Sequence, residues 1–145
     1  NAVRFGGTGD LSGNPVTNVI DNVFSGGWKT DFIDILSTTN TIGVIVTGTG
    51  IMKKARFYKL NSLNKFPSSV KIFGSISSTQ PVESDSSWTS IGDFTIPSVS
   101  GADCKAYVEV STTNTVEYSH FKFEFTSLVG SSQRRMNICK MLMYG

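Results

Sequence analysis

Alternation of apolar and polar residues is the strongest pattern in the chain. In residues 120–125, phenylalanine occupies every second position and His120, Lys122 and Glu124 occupy the others. Because successive side chains of a strand point to opposite faces, this run predicts a strand with a buried phenylalanine face and a polar outer face. Residues 104–110 alternate in the same way, with Tyr107 and Glu109 on the polar side. Residues 41–47 form a β-branched run that also favours a strand.

Shorter strands are predicted elsewhere, and glycine, serine and asparagine turns separate them. No segment has the apolar spacing of a helix. The pattern therefore predicts an all-β sandwich in which a single domain fills residues 1–145. The further predicted strands are residues 2–5, 32–35, 70–73, 88–91, 94–96 and 136–144.

Composition narrows the classes of protein that fit. The 145 residues carry a formal net charge of +2, which is too small to indicate a nucleic-acid partner. No apolar run approaches the roughly 20 residues of a membrane helix, so no transmembrane segment is predicted. The chain begins at Asn1 without a signal peptide, and we expect it to be a piece of a larger protein. A Cys104–Cys139 disulfide and two buried thiols both fit the sequence.

Reactive side chains do not converge on a catalytic set. His120 is the only histidine, and its place on the polar side of a strand predicts a surface position. Asp31 and Asp34 are separated by an odd number of positions, which directs them to opposite faces of a strand, whereas a glycosidase needs both carboxyls around one bond. One histidine and two cysteines do not make a zinc site at usual spacing. The sequence predicts no catalytic residues, no metal site and no enzyme.

Residues 51–65 concentrate positive charge. The stretch contains five cations and no acid, and aromatic and amide side chains are interleaved with them. One interpretation is a hairpin at a sheet edge, where lysines discourage edge-to-edge pairing. The other is a ligand-facing loop. The cations are Lys53, Lys54, Arg56, Lys59 and Lys65.

Three separated segments resemble discoidin-like (coagulation-factor C-type) domains and galactose-binding-like carbohydrate-binding modules. The first is the turn DNVFSGGW, from Asp21 to Trp28. The second is KFPSSVKIFGS at residues 65–75, with Trp88 after it. The third comprises residues 121–125 and the ending ICKMLMYG. The resemblance extends over nearly the whole chain, and the segments follow the order found in the family.

The resemblance implies a jelly-roll β-sandwich with about eight main antiparallel strands in two sheets. Domains of this kind are non-catalytic and are usually attached to larger exterior proteins. They bind sugars, phospholipid head groups or protein partners through loops at one end. The fold does not select among these ligands.

The family's calcium site is predicted to be lost. Many sugar-binding relatives hold Ca²⁺ with an Asp, a Thr and a Glu, and this sequence has Asp21, Gly26 and Lys140 at those places. A lysine ammonium offers no oxygen to calcium, so we expect no cofactor. Our hypothesis is that Lys140 replaces the metal, pairs with Asp21 and ties the last strand to the turn that carries Trp28. Three apolar or aromatic residues are predicted to share the strand face of Lys140, and such neighbours fit a lysine that points inward. They are Ile138, Leu142 and Tyr144.

A sugar site is implied by two further regions. Galactose-binding relatives place a His or Arg just after the tryptophan, and Lys29 stands there. They also use an Arg and an Asn in the loop before the Phe-Pro segment. Planar polar groups suit vicinal hydroxyls and an aromatic ring suits the C–H face of a sugar. The predicted ligand-binding residues are Lys29, Arg56, Tyr58, Lys59, Asn61 and Asn64.

The predicted function is a glycan-binding, lectin-like module that attaches a larger protein to a carbohydrate or a cell surface. Its partners would be a glycan or glycoconjugate and other domains of the same polypeptide, outside a cell or on a virus particle. One alternative is a binder of sulfated glycans or phospholipid head groups through residues 53–65, with Ile51 and Met52 as an apolar spike. The other is a structural or assembly domain of a virion or other large particle.

Overall fold

The computed structural model of the protein describes residues 2–5, 9–10, 33–37, 42–59, 66–101, 105–126 and 134–145. Within these ranges there are eleven strands and no helix. The strands are β1 (Ala2–Phe5), β2 (Gly9–Asp10), β3 (Ile33–Ser37), β4 (Ile42–Gly50), β5 (Lys54–Tyr58), β6 (Ser69–Ser75), β7 (Thr89–Thr95), β8 (Tyr107–Ser111), β9 (Tyr118–Thr126), β10 (Arg134–Ile138) and β11 (Lys140–Tyr144).

One layer is a five-stranded antiparallel sheet with the order β1-β4-β9-β6-β7. Strand β9 is central and pairs with β4 on one side and β6 on the other, so that Phe123 lies opposite both Val44 and Ile72. All three phenylalanines of β9 are fully buried, which confirms the face predicted from their alternation. The two short strands predicted at residues 88–91 and 94–96 form one strand, β7, whose register shifts beside Ile72.

The opposite layer begins with the three-stranded sheet β11-β5-β8. The buried ring of Phe57 on β5 contacts Phe123 and Phe125 edge-on, with ring centroids 6.1 and 5.7 Å apart, and so joins the two layers. A third sheet has the order β10-β3-β2, and Cys139 connects its strand β10 to β11. Ile138, the last residue of β10, lies in the same core. The all-β sandwich prediction is confirmed, and the described ranges hold more strands than the eight expected.

Strand β5 corrects two predictions about residues 51–65. It is the middle strand of its sheet, with β11 on one side and β8 on the other, so the interpretation as an edge hairpin is wrong. Residues 54–58 are strand, so this part is not a loop either. Met52 is fully buried in the core and Ile51 is 37% exposed, so the two do not form an apolar spike.

A glycine in the second family-like segment is required by close packing. Gly74 lies directly beneath the ring of Tyr118, and a side-chain carbon at this position would overlap that ring. Tyr118 is itself buried and packs edge-on against Phe121, which leaves the ring little room to move. The glycine of the Gly-Ser pair in this segment is therefore a packing requirement of the sandwich.

The polar face of β9 is covered, which corrects the surface position predicted for His120. His120 is 3% exposed and Lys122 is 7% exposed. Residues 76–88 lie over them: the Lys122 ammonium donates to the Glu83 carbonyl at 3.0 Å and sits 4.4 Å from the Phe73 ring centroid and 5.2 Å from that of Trp88. The prediction is wrong because alternation identifies a polar face but not what a distant segment places on it.

Burial of His120 predicts that stability depends on pH. Desolvation lowers the pKa of the imidazole, and a backbone hydrogen bond with Ser77 opposes this shift only in part. The unfolded chain therefore binds a proton more readily than the folded protein, and the free energy of unfolding falls as the pH decreases below about 6.5. We expect urea titrations between about pH 7.5 and 5.5, above the usual range of carboxyl titration, to show this loss.

The matched variant for this measurement is His120→Gln, which retains a polar side chain that cannot gain a charge in this range. Its free energy of unfolding should change little between pH 7.5 and 5.5, whatever its absolute stability. An equal pH dependence in both proteins would assign the effect to another group.

The C-terminal strands correct the shared face predicted for Ile138, Leu142 and Tyr144. The chain bends at Cys139, so alternation does not continue from β10 into β11. Ile138 belongs to the main core, whereas Leu142 packs with Tyr144 on the outer side of β11. These residues therefore do not share one inward face. Asp21 and Trp28 lie outside the described residues, and the pairing of Asp21 with Lys140 stays a prediction.

Cys139 forms a disulfide bond, and Cys104 is the chain's one other cysteine. Cys139 is fully buried, and its N–H donates to the Tyr58 carbonyl at 2.9 Å. The sequence allows either a disulfide or buried free thiols, and in the structure Cys139 is disulfide-bonded.

Candidate functional site

The outer face of the sheet β11-β5-β8 carries a cluster of polar and aromatic side chains that includes two residues of the predicted site, Arg56 and Tyr58. On β5, Ala55 and Phe57 are buried in the core, so strand alternation directs Arg56 and Tyr58 to the other face. The register then places Glu109 of β8 opposite Arg56. We call this set the Arg56 face; its members are Arg56, Tyr58, Tyr107, Glu109 and Tyr144.

Arg56 is fixed at the centre of this face. Its Nε donates to Glu109 Oε1 at 2.9 Å, and its Nη1 donates to the Tyr58 hydroxyl at 3.5 Å. The guanidinium carbon lies 4.4 Å from the ring centroid of Tyr107 and 5.1 Å from that of Tyr144. A guanidinium favours such a combination because its edge donates hydrogen bonds while its flat face stacks on aromatic rings.

The charges of the face persist through neutral pH. Hydrogen bonds to Tyr58 and then to Glu109 raise the pKa of Arg56 above its already high usual value. The hydrogen bond from Arg56 is the main reason that the pKa of Glu109 lies below its usual range. Lys54 adds a second cation, with its Nζ 3.8 Å from Glu109 Oε2. Because these groups are partly exposed, the pairs orient side chains more than they stabilise the fold.

Tyr107 supplies the accessible aromatic surface. It is 41% exposed, and its ring lies 5.1 Å from the buried ring of Tyr58 with an angle of 41° between the planes. The side chains of Arg56 and Glu109 beside it are each 30% exposed. The face therefore offers an aromatic ring, a fixed donor and a fixed acceptor side by side, which are the groups that bind the C–H surface and the hydroxyls of a sugar.

The structure separates the predicted ligand-binding residues. Arg56 and Tyr58 lie together, but Lys59 does not join them: its Nζ donates to the Val99 carbonyl at 2.7 Å and its backbone N–H to the Ala106 carbonyl at 2.8 Å. It borders a pocket of about 130 Å³. The other lining residues are Phe66, Pro67, Ser68, Ile96, Pro97, Ser98 and Val99. The predicted residues Lys29, Asn61 and Asn64 lie outside the described ranges.

Three members of the Arg56 face are absent from the predicted site: Tyr107, Glu109 and Tyr144. Alternation in residues 104–110 already assigns Tyr107 and Glu109 to one face. Nothing in the sequence shows that this face continues across β5, because the pairing joins Arg56 to a residue 53 positions away.

The cations of residues 53–65 do not form one positive patch in the part of the chain that is described. Lys53 donates to the Asn114 carbonyl at 2.6 Å, Lys54 and Arg56 share Glu109, and Lys59 reaches Val99. Three separate places thus hold four cations, and an acid balances part of their charge. This arrangement disfavours a surface that attracts anions.

Within the described ranges, no group of three or more His, Cys, Asp or Glu side chains is placed to hold a metal ion. The turn that carries Asp21 is outside these ranges, so the predicted loss of calcium stays a prediction. In the same part of the chain, no helix has the length and apolar character needed to cross a membrane.

Solved structures with a similar fold include carbohydrate-binding modules. The CBM32-1 and CBM32-2 domains of ZmpB from Clostridium perfringens, in complex with GalNAc, match with a TM-score of 0.66 and 11% identity, over 99% of this chain and 33% of that one. Chitosan-binding module 1 from the chitosanase/glucanase of Paenibacillus sp. IK-5 matches with a TM-score of 0.60 and 16% identity, over 100% and 94%.

The family 32 module of NanJ from Clostridium perfringens, in complex with galactose, has a TM-score of 0.64 and 13% identity, with coverage of 100% and 93%. No protein-family model matches the sequence, and no curated protein sequence matches it. The β-sandwich fold that the resemblance implies is thus confirmed. This chain has the β-sandwich fold of the family 32 carbohydrate-binding modules.

Proposed function

We propose that the protein is a non-catalytic glycan-binding module that attaches a larger exterior polypeptide to carbohydrate, and that the Arg56 face is its binding surface. The fold supports this, because its structural neighbours include modules solved with GalNAc and with galactose and one named for chitosan. A location outside a cell or on a particle surface belongs to the same proposal. So does a cell-surface glycan as the partner.

The observation that carries the proposal is the geometry around Arg56. Ligand binding is weakened by the cost of ordering flexible side chains, and long arginine side chains are costly to order. Here Glu109 at 2.9 Å and the Tyr107 ring at 4.4 Å hold the guanidinium before any ligand arrives. An exposed face that is already ordered and combines stacking with hydrogen bonding suits a sugar.

The non-catalytic part of the proposal rests on how the reactive groups are engaged. Glu109 is hydrogen-bonded to Arg56, which keeps its pKa low and makes it a poor proton donor at neutral pH. His120, the sole histidine of the sequence, is buried beneath residues 76–88. Neither group is arranged to transfer protons to a bound sugar.

Screening on a glycan array at about 0.15 M and 1 M salt tests the proposal. We expect binding that is little affected by salt, since stacking and neutral hydrogen bonds are weakly screened. Tyr107→Ala should weaken binding about tenfold, roughly 1.4 kcal/mol, because the exposed ring is lost. Tyr107→Phe should retain most of the affinity. The matched control is Lys71→Ala, since Lys71 is exposed on β6 of the other sheet.

Other outcomes would overturn the proposal in distinct ways. Binding that disappears at high salt would favour the anionic-surface alternative, and silence at both salt concentrations would favour the assembly role. Full binding by both Arg56→Ala and Tyr107→Ala would move the site away from the Arg56 face, and the predicted residues Lys29, Asn61 and Asn64 would then be the next to test.

A further inference from the structure

We infer that the Arg56 face binds an uncharged polysaccharide chain along several consecutive sugars, rather than a single terminal sugar. This inference rests on the proposed function and concerns the class of glycan. It follows from the extent, the openness and the charge of the face.

The extent of the face exceeds one sugar ring. Tyr107 is on β8, Arg56 on β5 and Tyr144 on β11, so the planar groups cross three neighbouring strands and two interstrand spacings, roughly 9–10 Å. The Arg56 guanidinium lies within 4.4 and 5.1 Å of the two ring centroids and closes the gap between them. The three planar groups are therefore contiguous across the sheet, and a single pyranose ring can contact only part of them.

The strip formed by these three groups also runs diagonally over the sheet. Tyr107 is opposite Tyr58, near one end of β5, whereas Tyr144 is opposite Lys54 at the other end. Its three members lie on one side of the sheet β11-β5-β8, and Tyr107 at one end is 41% exposed. A chain that continues in both directions can lie on such a surface, while a terminal sugar gains nothing from the second ring.

Charges of both signs lie along the strip, with Glu109 between the cations Arg56 and Lys54, and this mixture favours a neutral chain over an anionic one. The Nε of Arg56 donates to Glu109 and its Nη1 to the Tyr58 hydroxyl, so the edge of the guanidinium that carries Nε is already paired with a carboxylate and cannot grip a second anion there. Glu109 would also repel an anionic group beside it. Its carboxylate can still accept hydrogen bonds from sugar hydroxyls, and the tyrosine hydroxyls can donate or accept them.

Isothermal titration with neutral oligosaccharides tests the inference. The probes are two series, galacto-oligosaccharides and N-acetylchito-oligosaccharides, each from one to six units. In the series that binds, we expect affinity to rise at least tenfold from one unit to four and then level off, with little change between about 0.15 M and 1 M salt. Tyr144→Ala should remove most of the gain in affinity with length.

Tyr144 is half-buried, so a second measurement guards against a folding defect. Backbone amide chemical shifts of the unchanged protein, followed during titration with the four-unit oligosaccharide, should move on β8, β5 and β11 together. Shifts confined to β8, or equal affinity for one and four units, would overturn the inference while leaving glycan binding intact. Absence of binding by either series, together with a silent glycan array, would overturn the proposed function as well.

Discussion

Phe57→Ala is expected to lower the free energy of unfolding by about 3–5 kcal/mol, the largest effect of any single truncation considered for this protein. Phe57 is fully buried, and its ring contacts Phe123 and Phe125 across the two layers in edge-on geometry. Truncation would lose the transfer free energy of the ring, leave a cavity between rigid sheets, and remove two favourable aromatic pairs.

Urea-induced unfolding at pH 7.5, followed by tryptophan fluorescence, measures this effect. Phe57→Leu should cost clearly less, because it refills most of the cavity. The surface control is Val116→Ala: Val116 is 47% exposed, and its truncation should change the free energy of unfolding by no more than about 0.5 kcal/mol. If Phe57→Ala cost no more than this control, β5 would not be the strand that joins the two layers.

Local periodicity was sufficient to predict the strands that build the core. Residues 120–125 contain enough alternation to identify both the strand and its buried face, and the structure places all three phenylalanines in the core. The same information failed for His120 and Lys122 on the other face. Their burial depends on residues 76–88, whose polar and irregular sequence carries no sign of where it packs.

The site was predictable in part for the same reason. Once residues 54–58 are a strand, alternation puts Arg56 and Tyr58 on one face, which agrees with their joint place in the predicted site. Lys59 was grouped with them by proximity in sequence, but it follows the last residue of β5, and its side chain turns to Val99. Strand β5 ends at Tyr58, so the alternation of faces does not extend to Lys59.

The remaining members of the face depend on register between distant strands. Glu109 reaches Arg56 through the β5–β8 pairing and Tyr144 through the β5–β11 pairing. A shift of one residue in either pairing would direct these side chains into the core instead. Because long-range pairing decides the register, the sequence of β5 alone cannot specify it. For the same reason, the sequence suggests an edge hairpin at residues 51–65, whereas pairing with β11 and β8 makes β5 a central strand.

Core and site are therefore two sides of one strand. Phe57 and Ala55 anchor β5 to the layer beneath, and this fixes the backbone from which Arg56 projects. A binding surface built on paired strands is held more rigidly than one built on loops, and rigid placement reduces the ordering cost of binding. For this reason the proposed ligand contacts are expected to depend on the β11-β5-β8 sheet more than on its connecting loops.

Reduction of the disulfide at Cys139 is the second large expected effect, and it should lower the free energy of unfolding by about 2–5 kcal/mol. Cys139 is fully buried between β10 and β11, packs with Tyr58 and Leu142, and donates its N–H to the Tyr58 carbonyl. The bond thus restrains the chain at the point where it passes into the sheet of the Arg56 face, and its loss frees the unfolded chain.

Protein reduced in denaturant and refolded with reductant should melt at a lower temperature than oxidised protein. Thiol titration of the denatured, unreduced protein should find no free thiol; two free thiols there, or equal melting temperatures of the verified reduced and oxidised forms, would contradict this restraint.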